Sequence, residues 1–313
     1  MNLKPARIAA RTVAIGGVLV LGLGGTVTAA MASPVTWQLP CNISALYYAI
    51  NAVRSGGTLT LADDCTYFVD ESLIDNKGHL TIIGNGATLQ GGGPGTDFAI
   101  LGVSTGRHLT LDGVSFTGGW ADEDGGAIDN SGYLTVNGGI FSDNSGGEGG
   151  AIDSGGEHSS LWIRNTVFTH NSARDGGGAI AVDSDTTITG ATFSHNKARE
   201  GGAFYNAADR ATVAHTSFLG NVGEYGGAIY NAGDLTLTNV TDRAGSGNTF
   251  SGNRADKGGA IYNHDSAMIG ESLIMSNEAH RGGGLYNDCN GGYTLSRTTF
   301  HKNVTDNIYV QDC

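Results

Sequence analysis

The sequence predicts an all-β chain wound as a right-handed parallel β-helix, a solenoid of roughly ten coils with an N-terminal capping helix. Three observations carry this. A pattern Phe-x-x-Asn-x-Ala-x-x-Gly-Gly-Ala-Ile-x-Asn returns about every 24 residues from Phe116 onward. Around its anchors, short segments alternate apolar and polar residues, as in Leu134-Thr135-Val136, Leu161-Trp162-Ile163 and Leu235-Thr236-Leu237. No unit holds the two long 3.6-period faces that a helical repeat of similar length needs. One unit alone cannot bury its apolar face, so the units must stack.

The elements follow in order. Residues 33–115 hold a cap helix and early, less regular coils; 116–303 hold the repeat coils; 304–313 form a C-terminal cap, all within one domain. Ile43, Leu46, Ile50 and Val53 share one helical face, closed by Ser55-Gly56-Gly57. Such a helix would plug an end where core and strand edges are otherwise open. Leu59-Thr60-Leu61, Leu80-Thr81-Ile82 and Leu109-Thr110-Leu111 then repeat one strand of the coil without the full motif. In the repeat proper, six residues lead from Ile128 to Leu134, seven more to Phe141 and eleven more to Ile152. That makes three short strands per coil, separated by Gly and Asn corners. Between Leu235 and Phe250 the step is fifteen instead of seven, which predicts a protruding loop near Asp242 to Asn248.

Residues 1–32 read as a signal peptide: Lys4, Arg7 and Arg11, an apolar run from Val13 to Leu23, and Ala30-Met31-Ala32 before Ser33. The apolar run is shorter than the ~20 residues of a spanning helix. Export is expected, with no membrane span after cleavage and an extracellular or cell-wall-associated destination. Loss of three bases and no acid would take the net charge from −13 to −16. That argues against nucleic acid, and against anionic membranes or polyuronates held by charge alone, although calcium could bridge to acidic sugars. In an exported chain the four cysteines suggest two disulfides. Cys41–Cys65 and Cys289–Cys313 would each close about one coil and staple one end.

The strings Phe193-Ser-His-Asn196-Lys-Ala198-Arg-Glu-Gly201-Gly202-Ala203-Phe204 and Phe250-Ser-Gly-Asn253-Arg-Ala255-Asp-Lys-Gly258-Gly259-Ala260-Ile261 resemble repeats of the chlamydial polymorphic outer membrane proteins. They are also similar to those of secreted actinobacterial right-handed parallel β-helix proteins, whose helix-plus-strand cap Asn42–Tyr67 resembles. The resemblance covers residues 116–303 by motif. It implies the fold and a surface, adhesion-like role, since the membrane family consists of autotransported adhesins; it offers no catalytic motif to map.

Because the chain repeats, a functional site should show as a departure from its column. The Asn ladders recur in nearly every coil and are structural. The third position of Phe-x-x-Asn reads Asp143, His170, His195, then Gly220 and Gly252. Four residues after the Asn stand Glu148, Asp175 and Glu200, with Arg174 beside Asp175. After the Ile come Asp129 and Asp153, then Tyr205, Tyr230, Tyr262 and Tyr286. The tyrosines form a candidate binding row, or a stack that serves the fold. For an enzyme, Glu148, Asp175, Arg174, His170 and His195 are the set that would have to converge. Asp129, Asp153, Glu148 and Asp175 are the candidate metal ligands, with calcium as the cofactor they could hold; otherwise they are a solvated acidic turn. The expected function is that of a secreted, monomeric, non-catalytic surface protein binding a polysaccharide or a cell-surface protein. The competing reading is a polysaccharide lyase or glycoside hydrolase with a calcium-dependent acidic site.

Overall fold

A computed structural model describes residues 35–75, 78–239 and 247–313. The expected signal peptide, and most of the expected loop near Asp242, lie outside them. Among the described residues no helix is long and apolar enough to cross a membrane.

Each coil contributes three strands, for example Ile128–Asn130, Tyr133–Asn137 and Ile140–Ser142, and the next coil repeats them at Ile152–Ser154, Ser160–Arg164 and Val167–Thr169. The strands stack into three parallel sheets of eleven, ten and ten strands among the described residues. They are called here the leucine, isoleucine and phenylalanine sheets after their inward anchors. Like pairs with like: Leu134 with Leu161, Ile128 with Ile152, Phe141 with Phe168. A slip of one residue would turn an inward column out to water, so the burial pattern itself pins the register. The early coils join this scheme with one shift. Leu80 and Leu109 share the column of Leu134, but Leu59 pairs with Ile82 and so stands in the column of Leu111 and Val136. The shift is two residues, which keeps Leu59 facing inward.

Phe116, Phe141, Phe168, Phe193, Phe218 and Phe250 form one column of fully buried rings, stacked face to face with centres 4.7–4.9 Å apart. Beside it runs an asparagine ladder, Asn144 to Asn303, in which each backbone N–H and each amide donates to the next asparagine's Oδ1. A second ladder links Asn206, Asn231, Asn263 and Asn287. Both satisfy buried amides that would otherwise be costly.

The corner glycines have a steric cause. At Gly201 the backbone is left-handed, with φ 62°, and a Cβ would stand 2.2 Å from the carbonyl oxygen of Phe204. The corner after each phenylalanine strand is also left-handed, and there Asp143, His170, His195, Ser276 and Lys302 take φ near 55°. Asp and His tolerate that region better than most residues.

The N-terminal end is closed by helix α1 (Ile43–Ala52), capped by the Asn42 side chain, which accepts from the Ala45 N–H at 3.0 Å, with Leu46, Ala49 and Ile50 buried. Cys41 and Cys65 are bonded beside it, as their spacing led one to expect. The other expected bond is not formed in the structure. Cys289 and Cys313 are exposed free thiols within hydrogen-bonding reach of each other, and Cys313 Sγ also donates to the Cys289 carbonyl oxygen at 3.3 Å. Within the expected C-terminal cap, Ile308–Val310 adds one further strand to the isoleucine sheet, paired with Leu285–Asn287.

Candidate functional site

The outward column of the isoleucine sheet departs most from its own norm. In register from coil to coil it reads Ile74, Gly102, Asp129, Asp153, Ala181, Tyr205, Tyr230, Tyr262, Tyr286 and Tyr309. Carboxylates and tyrosines therefore belong to one surface line, separated by a short alanine. The five tyrosines stack with centres 4.9–5.4 Å apart.

The row is not open along its length, which corrects the expectation of a continuous four-tyrosine platform. Side chains from three of the corners that precede isoleucine strands reach over the tyrosine of the following coil. Tyr225 meets Tyr262 edge-on, Lys257 lies over Tyr286, and Arg281 lies over Tyr309. Tyr262 is left 8% exposed and Tyr286 0%. Their hydroxyls are used internally, Tyr262 on Asp288 at 3.2 Å and Tyr286 on Gln311. Only Tyr205, Tyr230 and Tyr309 of the row keep partial exposure. Burial raises the hydroxyl of Tyr205, and pushes that of Tyr230 up to about 12.

At the other end of the line, Asp129 and Asp153 occupy adjacent coils about 4.8 Å apart. Beside Asp129 opens a cavity of about 470 Å³, lined by Ile74, Asp97, Phe98, Gly102, Asp124, Asp129 and the hydroxyl side chains of Ser72, Ser104, Thr105 and Ser131. Gly102 forms its floor; a Cβ there would meet nothing closer than Ile74 at 4.0 Å. Burial, and then the charges of Glu148, Asp129, Asp124 and Asp183, push the Asp153 carboxyl up to about 7. Asp129 is raised as well, by burial and by Asp124. Neighbouring carboxylates that lose water this way hold on to a proton.

This makes a prediction. Asp153 keeps its proton to higher pH in the fold than in the unfolded chain, where a carboxyl titrates near ~3.9. The stability it confers is therefore fully present below about pH 4 and is lost as pH rises to about 7. Asp153→Asn should flatten part of that slope and make the protein more stable than the parent at pH 8, by about 2–3 kcal/mol. Urea unfolding at pH 5 and pH 8 checks it; parallel curves for parent and variant at both pH values would remove Asp153 from this role.

The catalytic set expected from the sequence does not assemble. The coil from Asn171 to Ile180 carries three glycines instead of two, so it is Gly176, not Asp175, that pairs with Glu200. Asp175 is the extra residue of that corner and bonds its own neighbour Arg174, Nε to Oδ2 at 2.9 Å, with both side chains exposed. His170 and His195 stack on each other at 5.2 Å at the far end of the corner, where the His170 ring is bonded to Thr169. Glu148 alone of that set acts on the Asp153 group. Among the described residues no three or more His, Cys, Asp or Glu stand together so as to hold a metal ion, and the candidates Asp129, Asp153, Glu148 and Asp175 make no such group. Sequence reasoning missed the cavity altogether. Its signal was Gly102, the side-chain-free member of a column whose next two members are aspartates. A second cavity, of about 570 Å³, lies on the corner at Arg174, Lys197, Arg199, Glu224 and Asp256. Its charges alternate and pair locally, as on Arg199 and Glu200 at 2.8 Å, which is the behaviour of a solvated edge.

Residues 165–183 and 249–264 match the model of the Chlamydia polymorphic membrane protein repeat. These two segments are similar to polymorphic membrane protein repeats, and the β-solenoid is consistent with a repeat of that type. The first matched segment runs from the start of a phenylalanine strand through Asn171 and Ala181, and the second from Phe250's strand through Asn263, so each holds the Phe, the ladder Asn and the Gly-Gly corner. The repeat accounts for the scaffold. The Asp-Ala-Tyr line fills one position of the repeat. No curated protein matches the chain significantly.

Proposed function

We propose that this is an exported surface protein whose isoleucine-sheet face binds a glycan chain, without catalysis, at Asp129, Asp153 and Tyr205. The carrying observation is the single outward line on which a cavity, a carboxylate pair and a partly exposed tyrosine succeed one another at coil spacing. Carboxylates accept from sugar hydroxyls, a tyrosine ring packs on the apolar face of a pyranose, and a rigid sheet holds both at little entropic cost. The polymorphic membrane protein repeat and the Cys41–Cys65 bond support a place at the cell surface or outside it, where disulfides persist. The protein is taken to act as a monomer.

Binding of the purified protein to a panel of soluble and insoluble polysaccharides tests this. Tyr205→Ala and Asp129→Asn should each weaken retention by about 5- to 30-fold, while Tyr286→Phe, beneath the covered part of the row, should not. Retention that is indifferent to both surface changes would refute the site.

A second reading has one observation in its favour. Asp129 and Asp153 stand on adjacent coils at a rung spacing of ~4.8 Å, close to the ~5 Å between the carboxyl groups of a retaining glycosidase, and the Asp153 carboxyl is raised to about 7, as suits a general acid. Release of reducing ends that is lost in Asp153→Asn and in Asp129→Asn would replace the binding role with hydrolysis.

A further inference from the structure

Two cations of the chain itself rest on the tyrosine column. Lys257 Nζ lies 5.6 Å from the ring centre of Tyr225 and 5.1 Å from that of Tyr286, and the Arg281 guanidinium lies 5.6 Å from that of Tyr309. Both belong to one corner column, Gly176, Glu200, Tyr225, Lys257, Arg281, whose members are joined by backbone bridges from coil to coil. The column thus has a rule: the side chain at this position serves the tyrosine of the next coil. At two positions it supplies a positive charge to an aromatic face, an attraction of about 0.5–2 kcal/mol.

Gly176 is the exception. It stands against Tyr205, the tyrosine of its next coil, so closely that a Cβ would lie 3.0 Å from the ring. From this position the chain puts no side chain over Tyr205. The members on either side are acids. Glu148 lies one coil before, where Gly149 N–H donates to the Gly176 carbonyl at 3.0 Å, and Glu200 lies one coil after. Both carboxylates act on the Tyr205 hydroxyl. Arg199 acts on the same hydroxyl in the opposite sense, and it is bonded to Glu200 at 2.8 Å. Glu148 is exposed. The arrangement sets a tyrosine of the kind that Lys257 and Arg281 cover elsewhere between the exposed Glu148 carboxylate and a Glu200 carboxylate already paired with Arg199.

We propose that Tyr205, framed by Glu148 and Glu200, binds an ammonium group of the ligand, so that the glycan taken by this face is an amino-sugar polymer with free amino groups. This deepens the glycan-binding reading and rests on it. A charged amine on a tyrosine face gains cation–π attraction and a charge-assisted hydrogen bond to Glu148. The chain's net charge of −13 draws such a polycation toward the surface at low ionic strength. An N-acetylated sugar offers neither charge nor ammonium and loses both terms.

Calorimetric titration of the full chain with a glucosamine tetramer and with its fully N-acetylated counterpart tests the proposal. The free amine form should bind at least about tenfold more tightly and lose affinity as salt rises. Glu148→Gln and Tyr205→Ala should each weaken it by about 3- to 30-fold, and Tyr205→Phe should keep most of it. A further variant is Gly176→Lys, which places a side chain of the Lys257 type at this position and should abolish binding; its Cβ would stand 3.0 Å from the Tyr205 ring, so the ring must shift and a lower melting temperature is expected. Should Gly176→Lys fail to fold, Glu148→Gln against Tyr205→Phe carries the same test. Equal binding of both tetramers, weakened by Tyr205→Ala, would overturn the ammonium site and leave glycan binding standing. Binding of an oligolysine peptide but of neither tetramer would overturn it in favour of a protein partner. No binding of either tetramer or of any polysaccharide would remove both readings.

Discussion

Asn196→Ala is expected to destabilise the protein by about 3–5 kcal/mol, a large part of an ordinary folding margin. Asn196 is 0% exposed and sits inside the longer ladder. Its Oδ1 accepts from the backbone N–H and the amide of Asn171, both at 3.0 Å, while its own amide donates to the Phe168 carbonyl and to Asn221 Oδ1, again at 3.0 Å. Alanine would strand the Asn171 N–H and amide and the Phe168 carbonyl, all on the preceding coil, and would remove the amide's bond to Asn221 on the following one; each buried group left unpaired costs about 1–3 kcal/mol. Asn196→Asp should fare no better near neutral pH, since a carboxylate can accept from Asn171 but would face the Phe168 carbonyl and Asn221 Oδ1 with nothing to donate. Chemical unfolding of both variants measures this. Parent-like stability in either would mean the ladder is not what closes these corners.

Phe218→Ala should cost a similar ~3–5 kcal/mol through a different mechanism. Its ring lies 4.9 Å from Phe193 and 4.7 Å from Phe250, stacked on both faces and fully buried. Removing it opens a cavity that the rigid coils above and below cannot close, because each is held by its own three ladders of backbone hydrogen bonds. Stability in a solenoid is a sum of neighbour terms, so damage at mid-stack threatens to split the column. Phe300 is only partly buried, with Ile274 as its neighbour in the preceding coil, and Phe300→Ala should cost clearly less. Equal stability losses at the two positions would argue that the rings do not form one cooperative column.

The inward anchors, the left-handed corners and the asparagine ladders could all be read in the sequence. Each is a local rule repeated many times, and repetition averages away the ambiguity of any single segment. Phe193 and Phe218 stack as their spacing implied, and the asparagines bond coil to coil. The carboxylate-to-tyrosine line could be read too, since its members share one offset from the Ile.

What the sequence by itself determined is therefore the scaffold: three strands per coil, which residues face inward, and which columns break their own pattern. What only the tertiary structure decided is which parts of those columns can be reached. One added glycine in the coil of Asn171 moves Asp175 out to Arg174 and sets Gly176 beside Tyr205. Lys257 and Arg281 close over tyrosines of the following coil, and Gly102 opens a cavity beside Asp129. Period and alternation say nothing about such features, because they depend on how far a side chain reaches across to the next coil. That reach is fixed by packing between residues more than twenty positions apart, and the repeat holds no record of it.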